Sequence, residues 1–212
     1  MEKATRDFYD KRGAVLVKNL QKRHFEAYYC ATKEAALKQV LALIPEGSSV
    51  GWGGAISASQ VGVQEAVKAG NYTVIDRDAF SDPAEKLRCM RECFNADFFI
   101  TGANALSLDG QMVNIDGNGN RVGMIVYGPR NIIVVAGMNK VCATLEDAVK
   151  RARTVAAPMN QQRFGLPNPC TCTGSCADCL TETSICNQIL ITRNCKPTGR
   201  IKFVLVGEEL GF

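Results

Sequence analysis

The chain has 212 residues, of which 46% are hydrophobic and 22% are charged, and its formal net charge at pH 7 is +4. This length predicts one domain, or one domain with an appendage, whose core needs no crosslinks. The lysines and arginines are scattered, which argues against a nucleic-acid-binding protein. No apolar run reaches ~18 residues, which argues against a membrane-spanning helix. The charged start argues against a secretion signal. We therefore expect a cytoplasmic protein.

Two helices are predicted before residue 46. The first covers residues 5–24 and is expected to loosen at Gly13, because glycine is a poor helix former. The second begins after Thr32, whose hydroxyl can cap the helix, and ends at Pro45.

A glycine-rich turn follows a short strand at residues 48–54, and a helix is predicted from Ile56 to Ala69. Unpaired backbone N–H groups and the helix dipole converge at such a junction, which makes it a ready anion-binding site. A tight strand-to-helix connection without any ligand requires the same small residues. The motif leaves both interpretations open, because it matches neither the Walker loop nor the dinucleotide fingerprint.

A strand is predicted at residues 72–76, a helix after Asp82 and another strand at residues 97–101. Asp82 is a favourable cap, and proline occupies the first helical position. The buried face of this helix is predicted to consist of apolar side chains: Leu87, Met90 and Phe94. Cys89 and Cys93 lie one turn apart, a spacing that suits a metal ion. Small thiols on a helix are more typical of a core, and we favour that interpretation.

From residue 102 the pattern changes to short β segments. Three are predicted, at residues 104–108, 111–115 and 121–127, separated by turns that contain Asp-Gly and Asn-Gly. The wholly apolar residues 132–136 predict a strand buried on both faces. Small and polar residues follow it at positions 137–140.

The last regular elements are an amphipathic helix, capped by Thr144 and ended by Pro158, and a strand at residues 200–206. Strands and helices thus alternate at both ends of the chain, with a β-rich segment in the middle. This order predicts an α/β fold with a mostly parallel sheet and helices on both faces. Ligands of such folds bind beyond the carboxyl ends of the strands, where three loops are expected to converge: 51–57, 109–121 and 137–140.

A cysteine-rich segment occupies residues 158–199 and contains six of the ten cysteines. Because it has few apolar residues, we expect thiolates around a metal to order it, with Cys176 and Cys179 as a Cys-x-x-Cys knuckle. A disulfide network is the alternative, which a reducing cytoplasm disfavours. Four thiolates suit either a 4Fe-4S cluster or zinc, and the spacing does not separate them, although zinc sites usually have two paired knuckles.

Three stretches resemble the lactate-utilisation (LUD) domain family: GWGG at 51–54, TGANALSLDGQMVNIDGNGNR at 101–121 and VAGMNK at 135–140. The subgroup that the chain resembles has about this length and carries a cysteine-rich tail before a terminal strand. The resemblance implies one LUD-type domain over residues 1–212, with the metal-binding segment 158–199 within it. It also implies the fold shared by ribose-5-phosphate isomerases, glucosamine-6-phosphate deaminases and coenzyme A transferases.

Site residues are also implied by the resemblance. Gly53, Gly54 and Ser57 would form an anion cradle, and five polar residues would line the cleft: Asp109, Asn114, Asp116, Asn118 and Lys140. The cysteine pattern of the family favours one set of metal ligands, namely Cys170, Cys176, Cys179 and Cys186. Cys172 and Cys195 are then spare, or exchangeable with Cys170 and Cys186. The chain has no match to the transferases' glutamate nucleophile and no assured counterpart of the isomerases' catalytic acids, so neither chemistry is established.

LUD proteins are tied to the oxidation of lactate to pyruvate in systems with iron–sulfur and flavin partners. The resemblance therefore implies a redox-associated protein of lactate or related 2-hydroxy and 2-oxo acid metabolism, with a small anionic ligand and a 4Fe-4S cluster. Redox partner proteins and a homodimer are further expectations. One alternative is an isomerase, hydrolase or transferase with structural zinc, in which Lys140 neutralises the substrate and Asp109 or Asp116 is the base. Another is a scaffold subunit without chemistry of its own.

Overall fold

The computed structural model describes residues 1–212 and places six strands in a central parallel sheet. Numbered in chain order with the strands of a second sheet, they are Glu26–Cys30 (β1), Ser49–Trp52 (β2), Thr73–Ile75 (β3), Phe98–Thr101 (β4), Asn131–Gly137 (β7) and Ile201–Val206 (β10). Their order across the sheet is β1-β10-β7-β4-β2-β3. The strand predicted to be buried on both faces, β7, therefore lies inside the sheet.

The second sheet has four short strands: Ala105–Ser107 (β5), Met112–Asp116 (β6), Val141–Cys142 (β8) and Gln188–Thr192 (β9). Their order is β8-β5-β6-β9. β5 and β6 form the antiparallel hairpin expected around the Asp109-Gly110 turn, and β9 pairs antiparallel with β6. The β-rich middle of the chain and the cysteine-rich segment therefore meet in this sheet.

Helices flank the two sheets. They are Lys3–Lys22 (α1), Lys33–Leu43 (α2), Ile56–Val61 (α3), Val63–Ala69 (α4), Pro83–Glu92 (α5), Asn120–Tyr127 (α6), Leu145–Arg151 (α7), Ala157–Gln162 (α8) and Pro169–Thr173 (α9). Of these helices, α7 packs against the second sheet. None of the helices is both long and apolar enough to cross a membrane. Successive residues of a strand point to opposite faces, and Phe203 and Val204 of β10 accordingly belong to two separate apolar clusters. These two buried layers confirm the predicted α/β fold.

Residues 121–127 belong to helix α6, so the strand predicted there is wrong. The carboxylate of Asp116 accepts the backbone N–H of Val122 at 3.0 Å and caps the first turn. Gly119, with φ of 75°, turns the chain into the helix. β-branched residues favour strands by intrinsic preference, but tertiary contacts such as this cap override that preference.

Three predictions about the other helices need correction. The helix predicted at 56–69 is divided at Gly62, whose φ is 86°. The helix after Thr144 does not end at Pro158, because a wider π turn, Ala152–Ala156, leads into α8 and leaves room for the proline ring. On the α5 side the buried side chains are the thiols of Cys89 and Cys93, which are core residues, whereas two predicted core residues, Leu87 and Phe94, are largely exposed.

Gly13 lies inside α1, which passes through it without a break. A Cβ atom at this position would lie 2.3 Å from a ring carbon of Tyr29 in β1. The ring therefore fits there because glycine has no side chain. We expect Gly13→Ala to lower the free energy of unfolding by ~1–3 kcal/mol through overpacking. This loss would outweigh the better helix propensity of alanine, about 1 kcal/mol. Chemical denaturation measures the change.

Gly123→Ala in α6 is the matched control. Its added Cβ atom would lie 3.2 Å from the ring of Phe94, which is 40% exposed and can move aside. This variant should therefore be neutral, or more stable by up to about 1 kcal/mol. Equal losses in the two variants would contradict the role assigned to Tyr29.

Candidate functional site

A cavity of about 560 Å³, called the cleft below, lies beyond the carboxyl ends of the central strands. Gly54 after β2, Ala103 after β4 and Lys140 after β7 line it. The turn between β6 and α6 forms a second wall, and part of the cysteine-rich segment, residues 182–185, forms a third. Ligands of parallel α/β sheets bind at this edge.

Lys140 is a buried cation of the cleft. It is 4% exposed, and its Nζ donates hydrogen bonds to Ser57 Oγ at 3.1 Å and to the backbone oxygen of Ala103 at 3.0 Å. Burial, followed by repulsion from Arg151 and Arg121, lowers the pKa of Lys140 to about 7. The amine therefore exchanges its proton near neutral pH, which suits proton transfer or pH-dependent binding of an anion.

Arg121 is buried at the same cleft and held by oxygen atoms on one side. Its Nε donates to Asp116 Oδ1 at 3.1 Å, and its Nη2 donates to Asn104 Oδ1 at 3.0 Å and to the backbone oxygen of Ile115. Its Nη1 has no hydrogen-bond partner in the protein and faces Gly54, where a Cβ atom would come within 2.9 Å of it. One end of a permanently charged guanidinium is thus left available at the cleft wall.

Two buried cations, Lys140 and Arg121, line the cleft. Arg151 is a third, half-buried cation that does not line it and donates to the backbone oxygens of Asn139 at 3.2 Å and Asn104 at 2.5 Å. Asp116 is the one carboxylate in an ion pair with any of these cations, and Arg121 is its partner at 3.0 Å. A pocket with low-dielectric walls and excess positive charge attracts anions. The arrangement therefore suits a carboxylate or phosphate ligand.

The structure brings several of the sequence-predicted residues to the cleft. Gly54, Asp116, Asn118 and Lys140 line it. Ser57 lies behind this surface, 1% exposed, where its hydroxyl contacts Lys140. Gly53 does not line the cleft, and its N–H is bonded to the backbone oxygen of Ile100 at 3.1 Å. The predicted glycine cradle is therefore reduced to Gly54, with Ser57 acting through Lys140.

Asp109 and Asn114 do not reach the cleft. Asp109 lies at the turn between β5 and β6, at the opposite edge of the central sheet, where its carboxylate pairs at 2.6 Å with Arg23 just before β1. The chain returns to the cleft only at the end of β6. Asn114 is fully buried within β6, and its Nδ2 donates to the backbone oxygen of Gly102 at 3.0 Å. Neither residue lines the cleft, and Asn114 Oδ1 is buried without a hydrogen-bond partner in the protein.

Sequence reasoning missed Arg121 and Arg151. Arg121 stood at the start of a predicted strand, and Arg151 was counted among the polar residues of an amphipathic helix. Periodicity does not distinguish a buried arginine from an exposed one. The available signal was proximity in sequence: Arg121 directly follows the polar turn 116–120 that was already assigned to the cleft.

The four cysteines implied as metal ligands line one small cavity of about 90 Å³, called the cysteine cavity below: Cys170, Cys176, Cys179 and Cys186. Cys172 is exposed and Cys195 belongs to the core. All the cysteines are free thiols. No group of three or more His, Cys, Asp or Glu side chains is arranged to hold a metal ion as the side chains stand. The sulfurs thus share a cavity without forming a closed ligand shell.

The thiols of the cysteine cavity influence one another. Burial, followed by the charge of Cys179, raises the pKa of the Cys170 thiol. Burial, followed by the charge of Cys176 and then of Cys170, raises the pKa of the Cys186 thiol. Such mutual effects require sulfurs that lie close together. Because several neighbouring thiolates repel one another unless a cation binds among them, this donor set fits a metal centre.

Asn168 organises the chain around the cysteine cavity. It is 1% exposed, its Oδ1 accepts hydrogen bonds from the hydroxyls of Thr181 and Thr183, and its Nδ2 donates to the backbone oxygen of Thr183 at 3.3 Å. An ion pair between Arg153 and Asp178 fixes the Cys-x-x-Cys knuckle to the helical layer. Ile115 lines both the cysteine cavity and the cleft. The two sites are therefore neighbours.

Comparison with known proteins supports a family assignment. A solved structure of a DUF162 family protein from Deinococcus radiodurans is similar over 95% of this chain and 97% of that chain, with a TM-score of 0.52 and 12% identity, which shows a common fold. Ribose 5-phosphate isomerase A from Methanocaldococcus jannaschii is similar over 53% of this chain and 55% of that chain, with a TM-score of 0.34 and 17% identity. eIF2B delta from Chaetomium thermophilum is similar over 66% of this chain and 57% of that chain, with a TM-score of 0.37 and 12% identity.

Among curated proteins no sequence is significantly similar. The sequence profile of the LUD domain matches residues 13–206. This match runs from within α1 to the end of β10 and includes both the cleft and the cysteine cavity. The protein therefore belongs to the LUD domain family.

Proposed function

We propose that this LUD protein binds a small anion in the cleft, a carboxylate or a phosphorylated compound, and carries a 4Fe-4S cluster at the cysteine cavity. It would serve the metabolism of lactate or a related 2-hydroxy or 2-oxo acid in the cytoplasm, together with redox partner proteins. The proposal is carried by the adjacency of two sites. Buried cations surround one cavity, four convergent cysteines line the next, and Ile115 borders both.

Anion recognition would rest on Lys140 and Arg121. Lys140 offers an ammonium group, and Arg121 offers the Nη1 that has no partner in the protein. Hydrogen bonds between charged donors and a carboxylate or phosphate are stronger than those between neutral groups. Asp116 holds the guanidinium in place from the other side, and the negative charge of this carboxylate is therefore paired with Arg121. Ser57 would orient the amine of Lys140.

The cluster would be held by Cys170, Cys176, Cys179 and Cys186. When bound, such a cluster supplies one-electron transfer. One knuckle with two wider-spaced cysteines, together with the redox association of LUD proteins, favours a cluster over zinc, and the cysteine cavity of about 90 Å³ has room for a polyatomic centre. Arg153 lines the same cavity, and its charge would partly offset that of the thiolates. Apolar walls that include Pro158 and Ile189 would limit the access of water.

Anaerobic purification followed by metal analysis tests the cluster. We expect a coloured protein with broad visible absorption and with iron and acid-labile sulfide in equal amounts. A colourless protein that contains stoichiometric zinc would reject the cluster. Calorimetric titration of the purified protein with pyruvate, L-lactate and inorganic phosphate at pH 6.5 tests the cleft. Failure of all three to bind would reject the anion site.

One alternative is favoured by the contact between Lys140 and Ser57. A lysine that lines the cleft, has its pKa lowered to about 7 and is oriented by a hydroxyl 3.1 Å away can act as a general base. In that case the protein would be a hydrolase, isomerase or transferase with structural zinc. Asp109 lies outside the cleft and Asp116 is bound to Arg121, so Lys140 would be the base. Zinc in place of iron, together with turnover of an anionic substrate without electron transfer, would support this alternative.

A further inference from the structure

We propose that occupancy of the cysteine cavity controls the anion affinity of the cleft, because the chain between two of the cysteines is a wall of that cleft. This inference rests on the proposed function, since it requires both a metal centre and an anion site. It adds a regulatory link between them. The link depends on one short stretch of chain, residues 180–185, called the bridge segment below.

The bridge segment runs from Cys179 to Cys186, so both of its ends are attached to cysteines of the cysteine cavity. Its residues 182–185 face the other way and line the cleft. The bridge segment therefore lies between the two sites. When Cys179 and Cys186 are both metal ligands, the positions of the two ends are set by the metal centre.

The bridge segment reaches the cleft turn through close contacts. Asn187, next to Cys186, donates its backbone N–H to the oxygen of Asp116 at 2.9 Å and its Nδ2 to the oxygen of Gly117 at 3.1 Å. A Cβ atom at Gly117 would lie 3.1 Å from the Cα of Ile185, so the two backbones touch. Asp116 in turn orients Arg121. A shift of the bridge segment would therefore act on the turn that positions a ligand-binding cation.

Besides the cysteines, two asparagines hold the bridge segment in place, and one of them, Asn187, donates its Nδ2 to the backbone oxygen of Ser184 at 3.2 Å. The bridge segment contains no helix or strand, and its backbone hydrogen bond is the turn from Ser184 N–H to the oxygen of Thr181 at 3.0 Å. Asn168 anchors Thr181 and Thr183 through their hydroxyls and the backbone oxygen of Thr183. The Glu182 side chain makes no hydrogen bond or ion pair, and Ile185 is held by its backbone contact with Gly117. Ordering six residues costs considerable conformational entropy, and fixing both ends through the metal centre removes part of that cost before an anion binds.

Thermodynamic linkage makes the effect reciprocal. If the loaded metal centre raises anion affinity, bound anion must raise metal affinity by the same factor. We expect the dissociation constants for pyruvate and for inorganic phosphate to be at least tenfold larger in metal-free protein than in metal-loaded protein. We also expect faster amide hydrogen exchange in residues 180–187 after metal removal, with the central strands unchanged.

The experiment compares three protein samples by calorimetric titration with pyruvate and with inorganic phosphate under anaerobic conditions. They are the metal-loaded protein, the same protein after chelation, and Asn187→Ala in the metal-loaded form. Asn187→Ala keeps the four cysteines and the backbone bond to Asp116 but removes the Nδ2 hydrogen bonds to Gly117 and Ser184, which loosens the bridge segment on the cleft turn. It should therefore weaken anion binding without loss of metal. Hydrogen exchange on the same samples reports the order of the bridge segment independently of ligand.

The results that would contradict the inference differ from those that would contradict the proposed function. Equal anion affinity in loaded and chelated protein would overturn the inference and leave the proposed function intact. Absence of bound metal in the purified protein would defeat the proposed cluster, and the inference with it. Absence of anion binding in every sample would defeat the cleft half of the proposed function. Unchanged hydrogen exchange in residues 180–187 after chelation would overturn the inference even if affinities differed.

Discussion

Replacing Cys179 by serine is expected to abolish metal binding, whereas Cys172→Ser should leave it intact. Cys179 lines the cysteine cavity with three other thiols, and Cys172 in the same segment is exposed and does not line it. Loss of a direct ligand should reduce metal affinity by more than the ~10–100-fold that loss of an outer-shell partner causes. Metal analysis of the two variants, purified side by side under anaerobic conditions, measures the difference.

Stability should follow metal content. Metal binding that occurs only in the folded state adds its free energy to folding, and it can be large beside the ~5–15 kcal/mol that stabilise a typical domain. Loaded wild-type protein and Cys172→Ser should unfold at similar denaturant concentrations, and Cys179→Ser should unfold at the lower concentration found for chelated wild type. Full metal retention in Cys179→Ser, or loss in Cys172→Ser, would assign the ligands differently.

Much of the fold was predictable because its signals are local. The run of five apolar residues at 132–136 predicted a strand inside the sheet, where β7 lies. Thr32 and Asp82 cap helices through hydrogen bonds to backbone N–H groups two or three residues later. Alternation of strands and helices then predicted the parallel sheet. Each of these signals is contained within a few consecutive residues.

The errors arise where distant parts of the chain decide the outcome. β1 was missed because its mixed sequence, Glu26–Cys30, becomes a strand only by pairing with β10 from the far end of the chain. β9 was missed for the same reason, since it depends on β6. Residues 121–127 are a nearer case: their composition is strand-like, but they form a helix whose first turn is capped by the carboxylate of Asp116, six positions before Val122.

The candidate site likewise contains residues that the sequence could predict and residues that it could not. Lys140 was predictable because it follows a strong strand, and the carboxyl ends of parallel strands meet at one edge. Asp109 was misplaced because a hairpin reverses the chain: two residues only seven positions apart, Asp109 and Asp116, lie at opposite ends of β6. The positive charge of the cleft depends on burial of Lys140 and Arg121, and burial is a property of the assembled fold.

Lys140→Met is expected to weaken pyruvate binding and to remove its pH dependence. In the ligand-free protein the pKa of Lys140 is lowered to about 7, and the charged amine is the form that attracts a carboxylate. Wild-type affinity should therefore fall as pH rises above 7, by up to about tenfold per unit. Pyruvate keeps its charge across this range, so calorimetric titrations from pH 6.5 to 9 report the protein. Methionine has a similar length without the charge, and Arg121 and Arg151 keep their charges in this variant.

Two results would contradict this role for Lys140. Unchanged pyruvate affinity in Lys140→Met would remove the amine from the ligand site. A wild-type affinity that rose with pH would indicate that the neutral amine is the binding form, as expected if Lys140 acted as a base or nucleophile.

The same shift predicts the pH dependence of folding stability, with a definite sign. An unfolded lysine has a pKa of about 10.4, whereas burial and neighbouring arginines lower that of folded Lys140 to about 7. Between these values the unfolded state binds more protons, so the free energy of unfolding should rise with pH, by up to about 1.4 kcal/mol per unit from this group. Below pH 7 both states are protonated and the full cost of burying the charge is present.

The difference in unfolding free energy between wild type and Lys140→Met isolates this contribution, because cysteines and tyrosines that titrate at alkaline pH are common to both proteins. It should shift in favour of wild type between pH 7.5 and 9, and a constant difference would show that burial does not deprotonate Lys140. Over the same interval anion affinity should fall. Opposite responses of stability and affinity to pH are expected only of a buried amine whose charge is costly to the fold and is offset by a bound anion.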